Sequence, residues 1–339
     1  MSRARALVED ALVWDNHGCL PMRPHDESFL PQLARYRRAG VDHVSLNVGF
    51  GDMGIEAHVR MIATLRHWLS MHPDEYLLVQ TVADVERAHS GGRLGVSFDI
   101  EGANAIDDQL SLVSLYHSLG VRWMLIAYNR NNRAGGGCQD NDTGLTDFGR
   151  RMIDEMQRVG MVLCLSHCGE RTARDALAHA SGPVVFSHSN PAAVRAHPRN
   201  ISDGLMLACA ATGGVVGING VGPFLGDNDT RSETIVRHID YAVQLIGPRH
   251  VALGLDFVFD QAEVDAEMAK MKHIFPPEFG YGRGMNFVPP EQLEEIVEGL
   301  FRLGYADADL RGVLGLNLLR IARQVWKVPA AGPALDAGR

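Results

Sequence analysis

Eight short apolar runs rich in β-branched residues recur along the 339-residue chain, and the segments between them carry helical periodicity. The runs are Leu12–Asp15, His43–Val48, Leu94–Ile100, Trp123–Tyr128, Met161–Ser166, Val184–Ser187, Gly214–Ile218 and Val251–Leu255. A strand with one wet face alternates apolar and polar residues. Runs that stay apolar belong to strands buried on both faces, as in a parallel sheet covered by helices. Helical segments such as Phe148–Val159, Arg171–His179 and Arg231–Leu245 separate them. This β-α alternation predicts an α/β fold, a TIM (β/α)8 barrel whose sheet closes on itself. The rival is an open doubly wound sheet. That fold would place a Gly-rich phosphate-binding turn after the first strand, and WDNHGCL has none.

The length suits one barrel with insertions, and no repeat, low-complexity tract or linker divides it, so residues 1–339 are expected to form a single domain. Glu291–Trp326 reads as a C-terminal helical extension with Leu300, Leu314, Leu318 and Ile321 facing the core. FPPEFGYGRGMNFVPP, Phe275–Pro290, follows the last strand and is expected to lie over the barrel mouth, as a lid or a plain surface loop. A net charge of −9 offers no basic face to nucleic acid. The N-terminus starts with Arg3 and Arg5 as an export signal does, but Glu9, Asp10 and Asp15 interrupt the apolar stretch such a signal needs. No run approaches the ~20 apolar residues of a membrane span, and the tail VPAAGPALDAGR is small and polar rather than an anchor. The expected location is the cytoplasm, with a small molecule as partner rather than a membrane; self-association is compatible with all of this. The five cysteines follow no disulfide-scaffold pattern, and Cys164 and Cys209 read as buried small hydrophobes.

Chemistry gathers at the strand ends. The first run leads into Asp15-Asn16-His17-Gly18-Cys19, the third into Asp99-Ile100-Glu101, the fifth into Ser166-His167, the sixth into Ser187-His188 and the eighth into Asp256. The C-terminal face of a barrel is where active sites are built. Imidazole, carboxylate and thiolate are good zinc ligands, and a carboxylate can bridge two ions. His17 and Cys19, at i and i+2, point to one side. Glu101, His167 and His188 can complete one or two sites, leaving Asp256 as an acid/base group. Such a centre generates its nucleophile by lowering the pKa of water. Asp99 is expected one layer deeper as a paired structural carboxylate. His25, His43, His89, His117, His179, His238, His250 and His273 lack this placement and are expected to be solvated or capping residues.

The stretch GLTDFGRRMIDEMQRVGMVLCLSHC, Gly144–Cys168, together with PVVFSHSN, DIEG and GLDF, resembles the membrane (renal) dipeptidase family, the M19 metallopeptidases of the amidohydrolase superfamily. The resemblance runs from about Trp14 to about Arg323. It implies a zinc-dependent dipeptidase with two zinc ions bridged by Glu101, with His17 on one ion and His167 and His188 on the other. It further implies Asp256 as acid/base and Arg199, within His197-Pro198-Arg199-Asn200, as a substrate-binding arginine beside Asn200. Two positions depart from the family pattern. Cys19 stands where the family has an aspartate ligand, and Tyr128 stands where it has a histidine that polarises the scissile carbonyl. Asn129, Arg130, Asn131, Asn132 and Arg133 crowd the same loop, as polar substrate contacts or as a solvated loop. The departures leave two rivals to a dipeptidase: an amidohydrolase for a modified amino-acid derivative, and a barrel that binds a ligand without turnover.

Overall fold

The computed structural model describes residues 1–327 apart from Arg283; the polar tail from residue 328 lies outside the described residues. Ten strands form one sheet: β1 Trp14–Cys19, β2 His43–Phe50, β3 Tyr76–Leu78, β4 Leu94–Glu101, β5 Val121–Leu125, β6 Val162–Cys164, β7 Val185–Phe186, β8 Val215–Ile218, β9 Val251–Leu253 and β10 Phe257–Val258. All pairings between them are parallel, in the order β1-β2-β4-β5-β6-β7-β8-β9, and Asp15 of β1 pairs with Leu253 of β9 to close the ring. These are the eight expected strands, closed as a TIM barrel with helices outside.

Two strands are additional. β3 pairs with the first half of β4, Tyr76 to Leu94 and Leu78 to Val96, and β5 takes over the same edge from Phe98 onward. β10 extends the ladder of β1 at its upper end, Gly18 to Phe257 and Cys19 to Val258. β1 itself runs past the expected Asp15 end. Its register on β2 gains one residue between Asp15 and Gly18, a bulge of the kind that re-aims side chains beside active sites. Here the re-aimed segment holds His17.

Three apolar clusters account for the packing. The largest lies between the sheet and the surrounding helices and includes Leu300 and Leu314. The second fills the barrel interior with Trp14, Trp123, Leu125, Val162, Val185 and Val215, and the helix Asn317–Val325 plugs its lower end with Leu318 and Ile321. The third sits over the mouth, where Ile274, Phe275, Tyr281 and Met285 bury themselves against Val221 and Phe224. The segment after the last strand is therefore a packed roof. It begins with a helix, Gln261–Lys270, whose sparse apolar positions concealed it in the sequence.

The expectation of solvated histidines fails at three sites. His43, His117 and His238 are buried. The cost is small where one ring nitrogen keeps a partner. His43 Nε2 lies 3.0 Å from Ser97 Oγ, and His238 Nε2 lies 2.9 Å from the Leu225 carbonyl.

Candidate metal centre

The upper ends of β1 and β4, and the turns after β6, β7 and β9, bring His17, Cys19, Glu101, His167, His188 and Asp256 together. The Nε2 atoms of His167 and His188 each lie 3.3 Å from Glu101 Oε1, and that of His17 lies 3.7 Å away. His167 and His188 are 2.8 Å apart at Nε2, and the rings of His17 and His188 stack at 4.2 Å. On the β1 side, Cys19 Sγ lies 3.5 Å from His17 Nε2 and 2.9 Å from Asp256 Oδ1. The candidate ligand atoms of His17, Glu101 and His188 fall within 4.8 Å of one another, as do those of His17, Cys19 and Asp256.

Each imidazole is held from behind at Nδ1. His17 Nδ1 faces Asp99 at 3.3 Å, and that carboxylate also accepts from Ser45 Oγ at 2.7 Å and Asn47 Nδ2 at 3.1 Å. His167 Nδ1 lies 2.8 Å from Asn129 Oδ1, and His188 Nδ1 lies 2.7 Å from Ser187 Oγ. Partners of this kind fix the ring orientation of metal-binding histidines and leave Nε2 to face the ion. Asp99 is thus the buried, paired carboxylate that its position one layer down suggested. Three residues here hold left-handed backbone, Asn129 at φ 57°, His167 at 66° and Asp256 at 57°. Such conformations are uncommon outside glycine, concentrate at functional sites and need surrounding structure to hold them.

Burial dominates the electrostatics. It pushes Glu101 up to about 8, against the pull of His17. It also lowers His167 and His188 well below the usual imidazole range, with His17 and Arg199 adding to the effect. For His17 burial opposes the charge, yet Asp99, Glu101 and Cys19 outweigh it and raise its pKa. The Cys19 thiol is pushed well up by burial and then by Asp256. Neutral imidazoles with free lone pairs are the ligand form. Glu101 Oε1 is buried and accepts no hydrogen bond. A buried carboxylate oxygen without a donor, ringed by three Nε2 atoms, fits a cation, and the donor set of imidazole, carboxylate and thiol fits zinc.

The other candidates fall around this cluster. Arg199 is 2% exposed, donates to the His188 carbonyl at 3.3 Å and forms no ion pair among the described residues. Tyr128 stacks on His167 at 4.0 Å and lines the cavity above the cluster. Asn200 lines a cavity with Arg199 and His167; its Nδ2 donates to the carbonyls of Arg195 and Phe224, both at 2.8 Å, and so braces the loop that carries Arg199, while its buried Oδ1 has no partner among the described residues. The polar loop after β5 is also internally committed. Asn132 Oδ1 accepts from Ala134 N at 2.8 Å, Arg130 pairs with Asp140, and Asn129 donates to the Ile274 carbonyl at 3.3 Å.

Sequence reasoning passed over Asn219, which donates to Asp256 Oδ2 at 2.8 Å, and gave Ser187, named at its strand end, no role of its own. Asn219 directly follows β8, so its place at a strand end was the available signal. Tyr281 was also missed; its hydroxyl accepts from Gln139 Nε2 at 3.3 Å.

A profile of the membrane dipeptidase family, peptidase family M19, matches residues 1–274. An uncharacterized protein in the pqqA 5′ region of Klebsiella pneumoniae is 31% identical over 280 residues, covering 79% of this chain and 96% of that protein. The dipeptidase ataJ of Aspergillus terreus is 28% identical over 295 residues, covering 80% of this chain and 67% of that protein. Among solved structures, an amidohydrolase from Pseudomonas aeruginosa is similar with a TM-score of 0.85 and 27% identity, covering 95% of this chain and 99% of that one.

Proposed function

The chain belongs to peptidase family M19, the membrane dipeptidases, and we propose that it is a zinc-dependent dipeptidase whose two-ion centre includes a thiol. The observation that carries this is the convergence of three Nε2 atoms on the hydrogen-bond-free Oε1 of Glu101. His17, Cys19 and Glu101 would hold one ion, and Glu101, His167 and His188 the other. Bound zinc polarises an amide carbonyl and lowers the pKa of water.

The chain's own groups do the rest. Asp256 is placed to take a proton from the attacking water and return it to the leaving amine, with Asn219 holding its far oxygen in place. Arg199, buried without an anion, offers its planar fork to the substrate carboxylate. Asn200 positions that arginine through the loop it braces. Tyr128, steadied on His167, offers a hydroxyl to the scissile amide where its relatives by family pattern use an imidazole. A phenol donates a hydrogen bond without carrying charge, and this favours, as a second reading, an amide other than a plain dipeptide.

The cytoplasm is the proposed compartment, supported by five free cysteines. No helix among the described residues is long and apolar enough to cross a membrane.

Metal analysis of the purified protein beside a dipeptide and N-acyl amino-acid panel tests the proposal. Zinc with dipeptide turnover is expected. Turnover undiminished in exhaustively chelated protein would overturn it.

A further inference from the structure

The helix Gln261–Lys270 directs Val264 and Met268 inward, and Met271 continues the row just past its end. The i, i+4, i+7 spacing puts all three on one face. Yet no residue of this helix is buried. The row packs against the edge of the roof's apolar cluster and, left half-buried there, also lines a cavity. The cavity stands directly over Cys19, Glu101 and Asp256, and Met22, Phe50, Phe275 and Met285 complete its walls. Those walls are backed by aromatic packing, with Phe50 at 6.2 Å from Phe275 and Phe275 at 5.3 Å from Tyr281. Apart from the floor, the main charged groups are at one lip, where Asp260, Glu263 and Glu267 lie. Asp260 caps the helix and Glu263 pairs with Arg23 at 3.2 Å, while Glu267 has no ion-pair partner among the described residues.

The two flanks of the centre differ. Arg199 follows β7 and packs against Phe224, whereas the methionine row follows β10 and lines the cavity together with Cys19. On the dipeptidase reading, a dipeptide whose carboxylate met Arg199 would lay its amide over Glu101 and Asp256 and carry its first residue towards Cys19 and the row. We infer that this cavity selects substrates whose N-terminal residue bears a bulky apolar side chain, and that the lip excludes acidic ones. Methionine is unbranched and polarisable, so such a wall adapts to leucine, methionine or phenylalanine alike. A substrate carboxylate entering it would lose its hydration beside Glu263 and Glu267, and Arg23 nearby is already paired with Glu263 and Asp26.

The inference rests on the dipeptidase proposal, and the test separates the two. kcat/KM is measured on zinc-loaded protein for Leu-Ala, Phe-Ala, Ala-Ala, Glu-Ala and Ala-Leu. Leu-Ala and Phe-Ala are expected to exceed Ala-Ala by roughly 10-fold or more, the usual reward for filling an apolar pocket, with Glu-Ala below Ala-Ala. Met268→Ala and Met271→Ala should each shrink the Leu-Ala to Ala-Ala ratio. Equal values across the panel, a preference for Glu-Ala, or an order set by the C-terminal residue would overturn the inference. If no dipeptide is cleaved, the dipeptidase proposal fails, and calorimetric binding of Leu-Ala against Glu-Ala to the Asp256→Asn protein decides the pocket. Tighter Leu-Ala binding supports it; equal or undetectable binding overturns it.

Discussion

The Sγ of Cys19 lies 2.9 Å from Oδ1 of Asp256 and 3.5 Å from Nε2 of His17. Burial and Asp256 keep this thiol protonated in the metal-free protein, and a bound cation is what would draw the proton off. Thiolate then serves as a ligand at ~2.3 Å, longer and softer than carboxylate. Zinc stoichiometry is therefore expected to be two in the wild type and to fall in Cys19→Ala, with loss of the thiolate-to-metal charge-transfer absorption in cobalt-substituted protein. Cys19→Asp is expected to tighten the weaker ion and raise turnover of ordinary dipeptides. One ion in the wild type, unchanged in the aspartate variant, would sink the two-ion centre.

Asp256→Asn keeps the shape and the hydrogen bond from Asn219 but cannot exchange a proton. A positioned acid/base group contributes ~10²–10⁴-fold, so kcat should drop by that order while metal content stays near normal. Wild-type kcat in this variant would make Asp256 structural.

Arg199→Ala should act mainly on KM. Loss of a charge-assisted hydrogen bond costs about 1.5–3 kcal/mol, on the order of 10- to 100-fold in affinity. The effect is expected on substrates with a free carboxylate and absent on their carboxyl-amidated forms. Equal weakening of both would assign Arg199 to packing.

Chelation is predicted to lower Tm as well as activity. An ion that binds only the folded state stabilises it by RT ln(1 + [L]/Kd), about 4 kcal/mol at a thousandfold excess over Kd, and relieves the unpaired Oε1 of Glu101. Calorimetric scans before and after zinc addition report this directly; an unchanged Tm would mean that the centre does not bind the ion.

Acid should destabilise the fold through histidines remote from the centre. Burial lowers His43 to about 3, and His117 and His238 to about 4. His43 Nδ1, His117 Nε2 and His238 Nδ1 are buried without a partner, so a second proton has no acceptor. The unfolded chain protonates these rings near pH 6.5. Below that pH it binds more protons than the folded chain, so stability is full above about 6.5 and falls towards 4, by up to ~1.4 kcal/mol per pH unit for each group. Urea midpoints between pH 7 and 4.5 measure the slope, and His238→Gln, which can still donate to Leu225, should flatten it. An identical slope in that variant would exclude His238 as a contributor.

The barrel was legible because its strands are buried on both faces and alternate with helices, a pattern carried by local composition alone. β3 escaped because three residues, Tyr76–Leu78, share an edge of β4 that β5 also uses, and nothing in so short a run marks a strand. Strand ends exposed the candidate centre from His17 to Asp256. The groups behind it were less visible, since their meaning lies in pairings across the sheet. Asp99 meets Ser45 from 54 residues away, and Asn219 meets Asp256 from 37. The buried His43 depends in the same way on Ser97. Asn200 reads in sequence as a partner of Arg199 in substrate binding, and the bracing role of its Nδ2 on the Arg195 and Phe224 carbonyls was invisible there because only the folded loops bring these near.

Asn129 grips two things at once. Its Oδ1 meets His167 Nδ1 at 2.8 Å, and its Nδ2 donates to the carbonyl of Ile274, the first residue of the roof's apolar cluster, at 3.3 Å. Its backbone lies in the left-handed region, which asparagine tolerates better than most residues. Asn129 thus ties the roof to the His167 ring, beside Arg130, which donates to the His273 carbonyl. The amide that orients His167 is therefore the same one that fastens an edge of the roof, and a substitution removing it frees both together.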